Sequence, residues 1–419
     1  MRVTTAFNKM LGLEGASVTG VSFGPEGIVV ALRRRARTLR CPCGYTTRST
    51  YDTRHRRWRH LDLGGQRLWL EADVRRLRCP RCAAVRTEEV PWARPGARHT
   101  RAFQDVVAWM AQRADKTTAC TLLRTSWEAV ARIVATVVAE HIDDARLERL
   151  SRIGVDEVSY RKGHRFLTVV ADHDAGGVVW AGEGRSSGTL GRFYAELGPE
   201  RCARLEAVSM DLGQAYKGAT DTHAGGARQC ADPFHVVKLA NEAVDKARRS
   251  AWNAERRHGW RDRGPLGRTP ADSHARWVKH ARWALLKGPA TLTDAQLGVL
   301  EQLRRDRSVL YRAWQLKEGL RDLYCYPDVE GAARHLEWWL AWACRSQIPA
   351  FVTLSRTVRA NRARILAAIE LGLSNSKLEG IASKVRLINH RGYGHRSAAA
   401  LIAMIYLCCG GITIELPLR

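Results

Sequence analysis

The chain has 419 residues, 45% of them hydrophobic, with 68 Lys+Arg against 42 Asp+Glu and a formal net charge of +26. That length suits roughly two to four domains, and the hydrophobic share supports real cores, which excludes a wholly disordered chain. A cation excess this large points to a polyanion partner, most simply DNA or RNA; an Arg-rich host proteome accounts for Arg over Lys but less readily for the excess over acids.

No apolar core follows Met1 as in a secretory signal, and no run of roughly 18 uncharged apolar residues occurs, so no export and no membrane span are expected. The 11 cysteines suit no secreted disulfide framework, and a reducing cytoplasm is the expected setting.

In chain order, residues 1–30 are weakly patterned, with alternation over 18–30 that predicts a strand pair. Residues 31–99 are Arg-rich, with short β-like runs such as 67–74, and close on a linker at Pro91, Pro95 and Gly96. Apolar residues at helical spacing predict helices over 102–112 and 126–142, with a short one over 117–123 between them and Thr125 or Ser126 as a cap. That is a helix-turn-helix outline. Strands are expected over 152–159, 166–172, 178–182, 205–211 and 229–232, and helices over 187–197, 213–222 and 233–249. Three hairpin-linked strands followed by β/α alternation indicate a mixed sheet covered by helices. Residues 250–345, which hold eight of the 14 tryptophans, read as an all-α insertion with a loop over 259–270. Helices over 350–372, 374–388 and 397–409 complete the chain, with a Gly-rich turn at 391–394.

Cys41 and Cys43 form one close pair, Cys79 and Cys82 another. Two such pairs supply four tetrahedral thiolate ligands to one structural Zn²⁺. The first pair, C-x-C, is one residue short of the usual C-x-x-C, so His55 and His60 stand as replacement ligands. A redox role is disfavoured, because no thioredoxin-like βαβ pattern surrounds the pairs. Arg54, Arg56, Arg57, Arg59, Arg75, Arg76 and Arg78 nearby would face phosphate or form a solvated basic surface. In the helix-turn-helix, Arg124 and Arg132 would reach DNA backbone or bases.

Asp156 lies within the apolar strand of 152–159, and Asp211 ends a later one. A carboxylate there is costly unless paired or metal-bound. Side by side, the two would hold Mg²⁺ for phosphodiester displacement, two ions (or Mn²⁺) activating the attacking oxygen and stabilising the leaving one. Asp211 also fits a helix cap, and Glu157, Asp172 and Asp174 are rival acids.

The segment 374–394 contains Ser374, Asn375, Glu379, Lys384, Arg386, Asn389, Arg391, Gly392, Tyr393 and Gly394. Here the sequence resembles bacterial insertion-sequence transposases of the ISL3 family, whose C-terminal motif is an Asn, an acid on a helix, a Lys and a Gly-Tyr/Phe-Gly turn. Gly154-Val155-Asp156-Glu157, Ser209-Met210-Asp211 and Asp232-Pro233-Phe234-His235 match the same family. The resemblance covers nearly the whole chain, loosest at 1–30 and in the helical block. It implies a catalytic, Mg-binding triad of Asp156, Asp211 and Glu379 on an RNase H-like fold. It also implies a signature pair Asp232 and His235 of structural or DNA-contacting role, unless these merely start a helix. Lys384 and Arg386 follow Glu379, with Arg386 nearly on its helical face, and either they and Arg391 hold DNA or they are solvated charge. Ser376 and Glu379 also read as a capping box.

The implied order is a zinc ribbon over 1–96, a helix-turn-helix over 97–145, an RNase H-like domain over 146–249 and 346–419, and the all-helical insertion over 250–345. The implied function is a DDE transposase, nucleoid-associated in a bacterial cytoplasm. It would bind terminal inverted repeats and target DNA, as a homodimer or higher oligomer once two ends are paired. A zinc and helix-turn-helix regulator with inert acids, and a structure-specific nuclease on the same fold, are the competing readings.

Overall fold

The computed structural model describes residues 2–261, 270–306, 308–392 and 394–417. Two compact units divide the chain: Met1–Asp143 with Leu387–Arg419, and Asp144–Arg386.

The first unit opens with a helix absent from the sequence expectations, α1 (Val3–Leu11), which buries Phe7 and ends on left-handed Gly12. Nine residues with one deeply buried side chain leave too short a stripe to show in the pattern. The expected strand pair is the hairpin β1 (Ala16–Gly24) and β2 (Gly27–Arg34). The Arg-rich stretch holds two strands longer than its composition suggests, β3 (Asp52–Leu63) and β4 (Gln66–Cys79). Gly64 and Gly65, both at positive φ, supply the two-residue turn between them. β4 also pairs in parallel with β2 and antiparallel with β5 (Ala84–Thr87). Val30, Leu68 and Leu70 fill the core with Trp58, which meets Trp92 edge to face at 5.6 Å. Arginines fit these strands because alternate positions point outward while Leu68, Leu70, Ala72 and Val74 point in.

Three helices follow near the expected positions: α2 (Arg101–Arg113), α3 (Lys116–Leu122) and α4 (Trp127–His141). Thr100, Asp115 and Ser126 cap them, each accepting a backbone N–H three residues on. The terminal helix Ala398–Cys409 belongs to this unit, and Gln112 Nε2 donates to Leu407 O at 2.7 Å and Ile412 O at 3.0 Å.

The second unit is built on β6 (Arg152–Arg161), β7 (Arg165–Asp172), β8 (Val178–Glu183), β9 (Ala207–Met210) and β10 (Arg228–Ala231). Among the described residues they form one sheet ordered β8-β7-β6-β9-β10. The first three are antiparallel; β6, β9 and β10 run parallel. Helices α5 (Ser187–Leu197) and α6 (Gln214–His223) supply crossovers for the parallel pairs. All four residues of β9 are buried, as a central parallel strand covered on both faces requires. One face carries Leu190, Phe193 and Tyr216; the other meets Ala367 and Ala368.

Helix α7 (Pro233–Arg261) leads from β10 into a helical block with its own core, running from Ala231 to Ile365. Two expectations are corrected. Residues 259–261, expected in a loop, continue α7; residues 262–269 lie outside the described residues, as does Tyr393 of the expected Gly-rich turn. The single helix expected over 350–372 is two, Pro349–Ala360 and Arg362–Glu370. They break at Asn361, whose amide donates to Thr357 O and accepts from Arg364, competing with the helical ladder. The helix carrying Glu379 spans Ser376–Arg391. Among the described residues no helix is long and apolar enough to cross a membrane.

Candidate active site and DNA-facing elements

The register of the parallel strands, carried one or two residues past the paired positions, brings the backbone of Asp156, Asp211 and Asp232 level. Ser209 pairs with Gly154, so two residues on Asp211 comes level with Asp156. Met210 pairs with Ala231, so Asp211 also comes level with Asp232, whose N–H donates to Met210 O at 2.9 Å. Neighbouring strands lie about 4.8 Å apart, so the backbones of the three acids lie at the same end of adjacent strands, although their carboxylate oxygens do not all converge within 4.8 Å. Asp156 Oδ1 accepts the Glu157 N–H at 2.7 Å, and Asp211 Oδ1 accepts the Gly213 N–H at 2.8 Å. Burial pushes the Asp156 carboxyl up to about 6, helped by the charges of Asp232 and Asp211 and opposed by the Glu157 N–H and His235. Asp232, 2% exposed, accepts from Phe234 N and takes His235 Nδ1 at 2.8 Å. That hydrogen bond raises the His235 pKa above its ordinary value against burial, and Asp156 and Asp211 add to the rise. Asp232 and His235 therefore both start α7 and border the acid cluster. A carboxyl raised by burial and by neighbouring carboxylates, as Asp156 is, belongs to a donor type suited to a hard divalent cation.

Glu379 stands exposed in the first turn of its helix. It is not among the groups acting on Asp156, and among the described residues no three acids bring ligand atoms within 4.8 Å of one another. The start of its helix is tied to the acid strands. Asn375 N donates to Asp232 Oδ1 at 3.1 Å, and Lys377 Nζ donates to His173 O at 2.9 Å. Leu378 packs on Gly154, where an added Cβ would stand 2.5 and 2.8 Å from its methyls. Buried Arg364 donates to Asp211 O at 2.7 Å and holds the end of β9. The rival acids Asp172 and Asp174 close a turn, where Arg152 pairs with Asp174; Glu157 pairs with Arg185. Sequence reasoning missed Arg364, His173 and Ser209. A serine between Val208 and Met210 on an apolar strand was the one available signal.

In the first unit the four cysteines converge. Cys41 and Cys82 sulfurs are 3.8 Å apart, those of Cys43 and Cys79 3.4 Å, and all four lie within 4.8 Å of one another. Tetrahedral Zn–S bonds of about 2.3 Å put sulfurs about 3.8 Å apart, so the set fits zinc. The Tyr45 backbone N–H lowers the Cys43 thiol to about 6, favouring the thiolate. The short C-x-C pair thus needs no substitute. His55 instead faces Asp73, and His60 meets Thr100 Oγ1 at 2.8 Å.

Of the cations expected to face DNA, Arg54, Arg78, Arg132, Lys384 and Arg386 are exposed. Arg57 meets Glu26 and Glu71 and lies over Trp69; Arg56 donates to Ala97 O. Buried Arg59 and the turn residue Arg124 both pair with Asp62. Arg75 pairs with Glu88 and Arg76 with Asp52, while Arg391 is half-buried.

Comparison with known families agrees across the chain. A model described as a transposase, of the ISL3 DDE group, matches residues 153–405. A helix-turn-helix domain of transposase family ISL3 matches 88–138, and a zinc-finger of transposases of the same group matches 37–82. The transposase for insertion sequence element IS1557 of Mycobacterium tuberculosis is 39% identical, over 100% of this chain and 98% of its own length. The transposase for IS1001 of Bordetella parapertussis is 28% identical, over 92% of this chain and 93% of its own.

Proposed function

The chain belongs to the ISL3 family of insertion-sequence transposases, DNA-cleaving and strand-transferring enzymes with a zinc ribbon and a helix-turn-helix, and from that premise we propose that Asp156, Asp211 and Glu379 are its catalytic carboxylates. The observation that carries this reading is the parallel pairing of β6 and β9 through Ser209 and Gly154, which, continued by two residues, brings Asp211 level with Asp156. The β8-β7-β6-β9-β10 order, with three antiparallel strands followed by two parallel ones, supports an RNase H-like catalytic domain interrupted by the helical block before Glu379.

Asp156 and Asp211, level on adjacent strand ends, and Glu379 on its helix would supply the carboxylate oxygens of the set. Bound there, Mg²⁺ ions supply Lewis-acid activation of the attacking oxygen and stabilise the leaving one. Water attacks the phosphodiester at an element end; one P–O bond forms, one breaks, and a 3′-OH is released. That 3′-OH then attacks target DNA by the same displacement, so no covalent protein intermediate is needed. His235, hydrogen-bonded to Asp232, stands beside the acids at the start of α7. Arg386, about two turns beyond Glu379, and Lys384 hold phosphate near the scissile bond.

Residues 1–96 and 97–145 act as the zinc ribbon and helix-turn-helix that read terminal inverted repeats. α4 lies in a major groove, with Arg132 and Arg54 on phosphate, while Arg59 and Arg124 brace the loop of Asp62. Pairing two ends calls for a dimer or larger assembly. The test is incubation of the purified chain with a duplex carrying one element end. Mg²⁺-dependent nicking at the repeat boundary, followed by joining of the new 3′-OH to a second duplex, supports the reading. Nicking independent of the repeat, or without strand joining, contradicts it.

A further inference from the structure

Four polar side chains meet where apolar packing would be expected. Ser209 is fully buried on β9 between Val208 and Met210. Its hydroxyl donates to Asn375 Oδ1. With that proton committed, the 2.6 Å contact between Ser209 Oγ and His173 Nε2 requires His173 to carry its hydrogen on Nε2. Burial, with Lys377 nearby, holds the His173 pKa below its ordinary value, which suits the neutral ring. Asn375, 4% exposed, also gives its backbone N–H to Asp232 Oδ1, and its carbonyl accepts the Glu379 N–H at 2.8 Å. The chain of contacts therefore runs from the ends of β7, β9 and β10 into one residue, and from it into the first turn of the Glu379 helix.

Buried polar groups are costly unless hydrogen-bonded, and the bonds made here join three strand ends to one helix start, although Asn375 Nδ2 has no partner among the described residues. Apolar residues would pack this junction as well, but they would allow the helix to slide or rotate on the sheet. The Ser209 hydroxyl donating to Asn375 and the Asp232 carboxylate accepting the Asn375 N–H, on either side of Asp211, do not.

We propose that Asn375 and Ser209 are positioning residues: they register the helix start against β9 and β10 and so set where the Glu379 carboxylate can reach relative to Asp156 and Asp211. The inference rests on Glu379 being the third carboxylate. Neither residue touches DNA or metal; both act through the placement of Glu379. Misplacing a catalytic group by about 1 Å costs on the order of 100-fold in rate.

The test uses the full chain with Asn375→Ala, Ser209→Ala, the double variant and Glu379→Gln. Three quantities are read: cleavage of an element-end duplex against Mg²⁺ concentration, Mn²⁺ affinity by calorimetry, and the melting temperature. Each single variant is expected to cleave about 100-fold more slowly. Each should raise the half-saturating Mg²⁺ and weaken Mn²⁺ binding by about tenfold, equivalent to about 1.4 kcal/mol. The double variant should be no worse than the worse single, because both break one chain of contacts. Ser209→Ala removes one oxygen and keeps the Asn375 bond to Asp232, so it decides the matter if Asn375→Ala does not fold. Unchanged Mg²⁺ dependence and Mn²⁺ affinity in both singles, beside a Glu379→Gln variant that no longer cleaves, would overturn the inference while leaving the triad intact. Normal cleavage by Glu379→Gln would instead overturn the triad assignment, and the inference with it.

Discussion

Gly154→Ala is a one-methyl change with a large expected effect. Gly154 sits on β6 two residues before Asp156, and its backbone is extended, so no left-handed conformation is at stake. An added Cβ would stand 2.5 and 2.8 Å from the Leu378 methyls and 2.9 Å from His173 Nε2. Leu378 is 2% exposed and cannot swing into solvent. Ala in place of Gly stabilises a compatible site by about 0.4–1 kcal/mol through the unfolded chain, whereas overpacking a buried site costs about 1–3 kcal/mol. The clash therefore wins, and the melting temperature should fall by about 2–10 °C for a unit of this size. Because the methyl presses on both Leu378 and His173, it should also lift the Glu379 helix and slow element-end cleavage at least tenfold. The assay pairs thermal unfolding with single-turnover cleavage, in Gly154→Ala and in Gly154→Ala with Leu378→Val. Relieving the contact should recover part of both losses. A Gly154→Ala variant with parental melting and cleavage would refute the packing argument.

Other consequences are equally direct. Chelation, or Cys43→Ser, should release one zinc per chain and unfold the ribbon, measurable by a metallochromic dye and by loss of repeat binding; repeat binding unaffected by zinc loss would count against a structural ion. Burial holds His60 and His395 down at about 4, below an unfolded value of about 6.5. Their contribution is fully present above pH 6.5 and is lost as pH falls toward 4, on the order of 3 kcal/mol for His60. Denaturant titrations at pH 7 and pH 5 should show the drop, and His60→Gln should flatten it. Arg132→Ala should weaken binding of repeat DNA and make the salt slope shallower by about 0.9, one phosphate contact; an unchanged slope would remove Arg132 from the interface.

Much of this was legible in the sequence because local chemistry was strong. Ser126 marks the start of α4, and apolar runs broken by Asp156 and Asp211 mark strands whose acids cannot be there for packing. The cysteine pairs named their metal, although the short first pair suggested a histidine substitute that the Leu39–Arg40/Thr46–Thr47 ribbon makes unnecessary. What escaped depends on partners far apart in the chain. Arg59 is buried against Asp62, a partner its sequence neighbours do not announce, and the exposed Arg124 meets the same acid. Asn361 looks helical until its amide is seen to take Thr357 O and Arg364. Ser209, His173 and Asn375 carry no periodic signal, because their meaning is the contact among three elements.

The central claim is that Asp156 and Asp211 form the metal-binding heart of a strand-transfer site. The most direct test measures Mg²⁺-dependent cleavage of an inverted-repeat end and repeat binding side by side for Asp156→Asn and Asp211→Asn. The account predicts that both variants bind the repeat as the parent does, lose cleavage by at least a thousandfold, on the order of 4 kcal/mol, and no longer bind Mn²⁺. Cleavage surviving in either variant at the parental rate would contradict it.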